Sequence, residues 1–167
     1  MFAALSRSRV TAAARELGQE MARLRSEAIV SRRKVAMRLT WSAGRYAYAF
    51  YADGDGDGVR ADDIASGRDA PIGPGRDLAS RYDGVDFGLI DVAIPEVPPG
   101  SGVLPPGSDP VRFGLSDIIT FTPYGTSSSG TLYVSDGTSA VAAVVLFGGT
   151  GRIRTLRFDR EVWAWRR

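Results

Sequence analysis

Three aspartates separated by single glycines form the segment whose residue types are best suited to bind a ligand. They stand at alternate positions in the run Asp-Gly-Asp-Gly-Asp-Gly: Asp53, Asp55 and Asp57. This spacing matches the first half of a calcium loop, because calcium prefers oxygen ligands and glycine permits the tight turn. An EF-hand would need a closing Glu where this chain has Ile64. Two alternatives stay open: a calcium loop closed by Asp62 or Asp63, and a solvent-exposed Asp- and Gly-rich β-turn.

A second charged segment lies at the C-terminus, where arginines stand close to tryptophans. The arginines that fit a phosphate-binding strand are Arg152, Arg154, Arg157 and Arg160, and Arg166 and Arg167 follow Trp163 and Trp165. Arginines at alternate strand positions project to one face, and arginines with aromatic rings hold phosphates and stack bases. In the structural alternative these arginines are charges on an edge strand that discourage aggregation.

The composition excludes the commonest hydrolytic active sites. The 167 residues include no His and no Cys. This rules out Ser-His-Asp triads, cysteine nucleophiles and zinc sites built on imidazole or thiolate. The hydroxyl run Ser127–Ser129 has no base near it in sequence and is typical of a hairpin tip. An enzyme could still use carboxylates, Lys or metal ions, but nothing in the sequence places two carboxylates across a cleft. We predict no catalytic residue and no cofactor, with calcium as the one candidate metal.

Charge is spread unevenly along the chain, although the formal net charge is only +2. Residues 1–45 hold ten Lys or Arg against three Glu, and residues 151–167 hold six Arg against two acids. Residues 52–96 hold four Arg against eleven acids. This polarity suits lateral or head-to-tail contacts, or an anionic partner at one end; a solvated mixed surface is the alternative.

One amphipathic helix is predicted over residues 3–32. Its apolar residues recur at spacings of four, three, four, three and four, which places them on one helical face: Val10, Ala14, Leu17, Met21, Leu24 and Ala28. Glu16 and Glu20 lie mostly off that face. A face with small alanines suits packing on a sheet better than coiled-coil pairing.

After the helix, the apolar period changes from 3.6 to 2, which predicts β-structure. Residues 35–41 and 46–51 alternate and form a predicted hairpin around a turn. Later strands are predicted at residues 118–122, 131–135, 140–147, 152–158 and 162–165. Residues 52–110 are rich in Pro and Gly and are predicted to form irregular, exposed loops. The predicted fold class is α+β: a long N-terminal helix packed on two antiparallel β-sheets in a single domain, residues 1–167.

Three motifs occur in this chain in the order found in one protein family. The helix end Arg-Ser-Glu-Ala-Ile (Arg25–Ile29) leads through basic residues into a strand. Phe-Thr-Pro-Tyr-Gly (Phe121–Gly125) precedes the strand Gly130–Val134, and Gly-Arg-Ile-Arg (Gly151–Arg154) follows a later strand. Together they resemble the GspH/FimT family, which comprises minor pseudopilins of type II secretion systems and minor type IV pilins. The resemblance covers about residues 5–158.

The resemblance implies a non-enzymatic subunit of a type II secretion or type IV pilus-like filament. Such a subunit assembles through its N-terminal helix, with its apolar face on the sheets and its polar face toward neighbouring subunits. The implied partners are other pseudopilins or pilins, and a secreted substrate at residues 52–110. The alternative is a FimT-like minor pilin that binds DNA through its C-terminal arginines during natural transformation.

Membrane attachment is implied by the resemblance alone. Nowhere do eighteen apolar residues occur in sequence, so the chain as given is predicted to be soluble. Family members carry a leader and an apolar helix before the amphipathic helix. Because the helix begins abruptly at Met1–Leu5, we expect such a segment upstream in the precursor, anchoring it in the inner membrane with its head on the periplasmic side.

Overall fold

A long N-terminal helix precedes an almost entirely β-structured chain in the computed structural model, which describes the backbone of residues 2–167 and the side chains from Ala4 onward. Helix α1 spans Phe2–Ser31. Arg32 follows with a left-handed φ of 56°, a conformation that ends a helix. The predicted bounds of 3–32 are therefore one residue late at each end. In the part of the chain that the structure describes, no helix is both long and apolar enough to span a membrane.

Twelve strands and one short helix follow α1 in the described residues. Helix α2 spans Ala61–Ser66. The strands are β1 Val35–Ser42, β2 Arg45–Ala52, β3 Ala70–Pro71, β4 Asp86–Phe87, β5 Ile94–Pro95, β6 Val103–Leu104, β7 Val111–Arg112, β8 Ile118–Phe121, β9 Gly130–Ser135, β10 Val141–Phe147, β11 Arg152–Asp159 and β12 Ala164–Arg166.

The strands form antiparallel sheets beside the helix. The first sheet has the order β3-β2-β1-β8, and the second has the order β12-β11-β10-β9-β4, with β7 also paired to β9. The pair β5-β6 forms a third, two-stranded sheet that the sequence did not predict. The α+β class, with one long helix packed on antiparallel sheets, is confirmed.

Helix α1 lies against strands of both large sheets, with most of its contacts to β10, β11 and β1. The six residues of its apolar stripe are all buried, and none is more than 5% exposed. Gly18 permits a close approach to β11, since a Cβ there would lie 3.1 Å from Oγ1 of Thr155. The main core therefore lies between α1 and the two sheets.

A second core covers the face of β9, β10 and β11 that points away from α1. Its cover comes from residues 90–104, which bury Ile90, Ile94, Val97 and Leu104. The prediction that residues 52–110 form irregular, exposed loops is wrong for this segment. Proline and glycine break regular elements there, but the side chains between them still reach an apolar sheet face.

Candidate functional site

Helix α1 is the candidate site for assembly, because it presents two different surfaces along its length. The apolar stripe faces the sheets, as described above. The opposite face is exposed and ends in two apolar residues, Ile29 and Val30, which are 44% and 80% exposed. One face of the helix thus stabilises the subunit, and the other is available for contact.

The acidic flank of α1, which we define as Glu16 and Glu20, lies beside the stripe and pairs within the subunit. Glu20 is only 8% exposed and forms an ion pair with Arg76. Glu16 forms an ion pair with Arg81 and accepts a 2.5 Å hydrogen bond from the hydroxyl of Tyr82. Contacts 56 and 66 residues apart in sequence tie the helix to residues 76–82. The expectation that the polar face of the helix meets neighbouring subunits is wrong for these two glutamates.

The pKa of Tyr82 reports this environment. Burial, together with the hydrogen bond to the Glu16 carboxylate, raises the pKa of its phenol to about 12. Burial also raises the pKa of the neighbouring Tyr48, which Glu16 reinforces. Both tyrosines therefore stay neutral beside the ion pairs at physiological pH.

Arg25 joins the three motifs that carry the family resemblance. Its Nε donates a 2.9 Å hydrogen bond to the carbonyl of Gly125. A Cβ on Gly151 would lie 2.2 Å from that carbonyl and 2.6 Å from the same Nε. Gly125 and Gly151 also adopt φ values of 80° and 60°, which favour glycine. The motifs are distant in sequence because each supplies one part of a single junction between α1 and two turns.

The C-terminal arginines predicted to bind DNA do not share one surface. Residues 152, 154, 156 and 158 of β11 point away from α1, whereas 153, 155 and 157 point toward it. Arg152 is exposed, and Arg154 lies over the ring of Phe147, 5.8 Å from its centroid. Arg157 lies on the opposite face, beside α1. Arg160 lies beyond the strand and donates to a backbone carbonyl before β10, at 3.2 Å.

The two C-terminal tryptophans differ in role. Trp165 packs on Tyr133 and Phe158 and donates its indole N–H to the carbonyl of Pro95, at 2.8 Å. Trp163 packs edge-on against Phe158 and is 48% exposed. Trp165 is therefore part of the second core, and only Trp163 offers a ring face to solvent.

The aspartate loop brings together three of the five predicted calcium ligands. One carboxylate oxygen from each of Asp53, Asp55 and Asp57 lies within 4.8 Å of the others. Asp53 is 4% exposed, and its carboxylate accepts hydrogen bonds from the backbone N–H of Gly56 (2.7 Å) and Gly58 (3.0 Å). The description of this run as a solvent-exposed turn is therefore wrong for Asp53.

The two predicted closing ligands lie on α2 and are not part of that group. Asp62 is exposed, whereas Asp63 is buried and lies 2.8 Å from Nη1 of Arg68. The same Nη1 lies 3.5 Å from Asp55. Arg68 therefore joins the loop to α2, and calcium binding stays a prediction.

Asp69 is a residue of this loop that the sequence interpretation missed. It is fully buried, and its carboxylate accepts hydrogen bonds from the backbone N–H of Gly54 (3.0 Å) and Arg60 (2.9 Å). A Cβ on Gly54 would lie 1.9 Å from the carbonyl of Arg68. Asp69 has little signal in the sequence, since residues 52–96 hold eleven acidic residues and no pattern distinguishes it among them.

Comparison with known proteins identifies the family. The family model of the type II transport protein GspH matches residues 13–151. Comparisons with curated proteins and with solved structures gave no significant match. The matched range includes most of α1, both large sheets except β11 and β12, and the junction of Arg25 with Gly125 and Gly151. The chain therefore belongs to the GspH family of type II transport proteins.

Proposed function

We propose that this protein is a non-enzymatic minor pseudopilin that assembles into a type II secretion filament through α1. The observation that carries this proposal is the division of α1, from Val10 to Ala28, into a buried face and an exposed face. A surface helix needs only one apolar stripe to fold, so the exposed face is available for contacts with neighbours.

The exposed face suits helix packing between subunits. Four of its residues are small or uncharged, Ala12, Gln19, Ala22 and Ser26, and the exposed Arg15 and Arg23 lie among them. Small side chains let neighbouring helices approach closely, and Ile29 with Val30 adds apolar surface at the end of the face. The partners that this surface supports are the helices of other pseudopilins in the same filament.

Single introduced cysteines test the proposal cleanly, because the natural chain has none. We expect Ala22→Cys to form disulfide-linked products with a pseudopilin partner carrying a cysteine on its own N-terminal helix, in cells that assemble the filament. Thr40→Cys is the matched control, since Thr40 is equally exposed but lies on the outer face of β1. Equal cross-linking at the two positions, or none at Ala22, would overturn assembly through this face.

The location and further contacts follow from the same proposal. We place the domain on the periplasmic side of the inner membrane, held by an apolar helix upstream of α1 in the precursor. Residues 52–110, with α2 and the β5-β6 pair, form the surface proposed for contact with a secreted substrate. Protease accessibility in spheroplasts of a producing strain tests the location: protection of the domain until the inner membrane is lysed contradicts it.

The DNA-binding alternative rests on the two arginines of β11 that share a face. Arg152 is exposed, and Arg154 lies beside it on the outer face of the strand. If they bind phosphates, affinity for DNA falls steeply with salt because counterions are released on binding. An electrophoretic shift that Arg152→Ala with Arg154→Ala leaves unchanged would reject their role.

A further inference from the structure

A groove runs between the N-terminal half of α1 and strand β11, and arginines line it. A hollow of about 350 Å³ is bounded by Arg7, Arg15 and Arg157, among others. A smaller hollow of about 70 Å³ adjoins it and adds Arg167. Thr11 and Arg157 line both hollows, so they form one continuous feature. We call Arg7, Arg15, Arg157 and Arg167 the basic groove.

The arginines of the basic groove lack acidic partners. Within the described side chains, residues 4–167, none of the four lies within 4.0 Å of a carboxylate oxygen. A guanidinium stays charged at every physiological pH. Four like charges around one groove repel one another, and an anion placed among them removes this cost. The basic groove is therefore complementary to a negatively charged group.

The walls of the groove indicate what kind of anion fits. Apolar side chains, those of Ala12 and Ala142, lie between the arginines. At the end of the groove, a third small hollow is lined by Arg7 and Arg157 together with Asp159 and Glu161. Asp159 forms its ion pair with Arg166, outside the basic groove. Carboxylates at that end would repel a uniformly charged polyphosphate chain. A protein surface that presents carboxylates among apolar residues matches both features.

We propose that the basic groove binds a carboxylate-bearing helix of a different filament subunit, beside the exposed face of α1. This inference rests on the proposed function. The α1 helix of a second copy offers Glu27 as its one exposed glutamate, because Glu16 and Glu20 are already paired with Arg81 and Arg76 inside the subunit. The bound carboxylates would supply the counter-charges of Arg15 and Arg157.

A peptide titration tests the proposal. The probe is a fluorescent, acetylated and amidated peptide, (Glu-Ala-Ala-Glu)3, held helical by a hydrocarbon staple that replaces two alanines four residues apart. It is titrated with the full chain at low salt. We expect binding that weakens with added salt, and about tenfold weaker binding when Arg15→Ala and Arg157→Ala are combined. The matched control combines Arg32→Ala with Arg33→Ala, which removes the same charge from exposed residues on the order of 25 Å further along the helix axis. Equal loss in the two double variants, or no binding to the natural chain, would overturn it.

A charge reversal gives a second readout that needs no ligand. Arg15→Glu places a carboxylate among the remaining groove arginines, so we expect the melting temperature to rise and the peptide to bind weakly. A lower melting temperature for Arg15→Glu would show that these arginines do not repel one another in the free protein.

Two further outcomes identify other occupants and other failures. If a twelve-residue thymidine oligonucleotide binds more tightly than the peptide and the groove variant loses it, the occupant is a phosphate chain and the carboxylate proposal is wrong. If the peptide binds as expected but Ala22→Cys forms no cross-link in cells, the groove stands and the proposed filament role fails. If the cross-link forms and the peptide does not bind, only the groove proposal fails.

Discussion

The two flanks of the buried stripe of α1 carry similar numbers of charged side chains, but only those of the acidic flank form ion pairs within the subunit. On the acidic flank, Glu16 and Glu20 each form an ion pair with an arginine from residues 76–82. On the other flank, Arg7 and Arg15 lie beside Arg157 of β11 and Arg167, the residue after β12. The acidic flank therefore completes its ion pairs within the subunit, whereas the basic groove leaves a net positive charge for something else.

This difference separates charges that stabilise the fold from charges that are available for binding. Removing one partner of a buried ion pair strongly lowers the free energy of unfolding, because the remaining partner is left desolvated and unpaired. An exposed arginine without a partner contributes almost nothing to the free energy of unfolding. Substitutions on the two flanks should consequently have unequal effects on stability.

The largest effect is expected at the stripe that both flanks share. Leu17 is fully buried and Leu24 is 5% exposed, both in the main core. Asp at either position adds a desolvated charge to the loss of apolar burial, so we expect a loss of more than about 4 kcal/mol and an unfolded domain. A thermal melt checks this. An unchanged melting temperature would mean that α1 does not hold the sheets together. The difference between its two flanks could then not be attributed to packing of the helix.

The comparison itself is tested by one substitution on each flank. Glu20→Gln leaves Arg76 partly buried without a counter-charge, and we expect a loss of about 2 kcal/mol in the free energy of unfolding. Arg15→Ala, at an exposed arginine of the basic groove, should change it by less than about 0.5 kcal/mol. Urea denaturation of both variants measures the difference. Equal losses would show that both flanks contribute to folding alike.

The acidic flank should also respond to alkaline pH. The pKa of Tyr82 is raised to about 12 in the folded protein, against about 10 in an unfolded chain. Its contribution to stability is therefore complete below pH 10 and is lost as the pH rises from 10 through 12. Urea midpoints of the natural chain and of Tyr82→Phe between pH 9 and 12 check this. The natural chain should lose more stability over that range, and parallel curves would contradict the assignment.

The smallest effect is expected in the aspartate loop, where Arg68 acts like the arginines of the acidic flank. Arg68→Ala removes the cation between Asp55 and Asp63. If the loop binds calcium, the ion should raise the melting temperature of this variant by a few degrees, and more than that of the natural chain. Magnesium at the same concentration is the control. If calcium neither raises the melting temperature nor gives a heat of binding in either protein, the aspartates form a turn held by internal contacts and not a calcium site.

The long helix and the regular strands follow from local patterns. The stripe from Val10 to Ala28 has one period, and the alternation in residues 35–41 matches β1. These elements could be predicted because the position of a residue in the helical or strand repeat determines the face on which its side chain lies.

The paired glutamates and the second core could not be predicted in the same way. Glu16 and Glu20 fall on the polar side of the pattern, and only the distant Arg76 and Arg81 bury them. Ile90 and Val97 stand among Pro and Gly, so no period indicates that they cover a sheet. The spacing of three between Arg154 and Arg157 puts them on opposite faces of one strand, but it does not show which of the two faces α1. Contacts between distant segments decide each of these cases.

The junction of Arg25 with Gly125 and Gly151 has a mechanical consequence for a subunit held by one helix. Tension applied along α1 would slide the helix past β10 and β11. The side chain of Arg25 is hydrogen-bonded to the Gly125 carbonyl and lies against the Gly151 turn, so this movement would have to break that contact. Arg25 would transmit force from the helix to both turns. The β-structured part of the subunit would therefore resist separation from α1 before its sheets come apart.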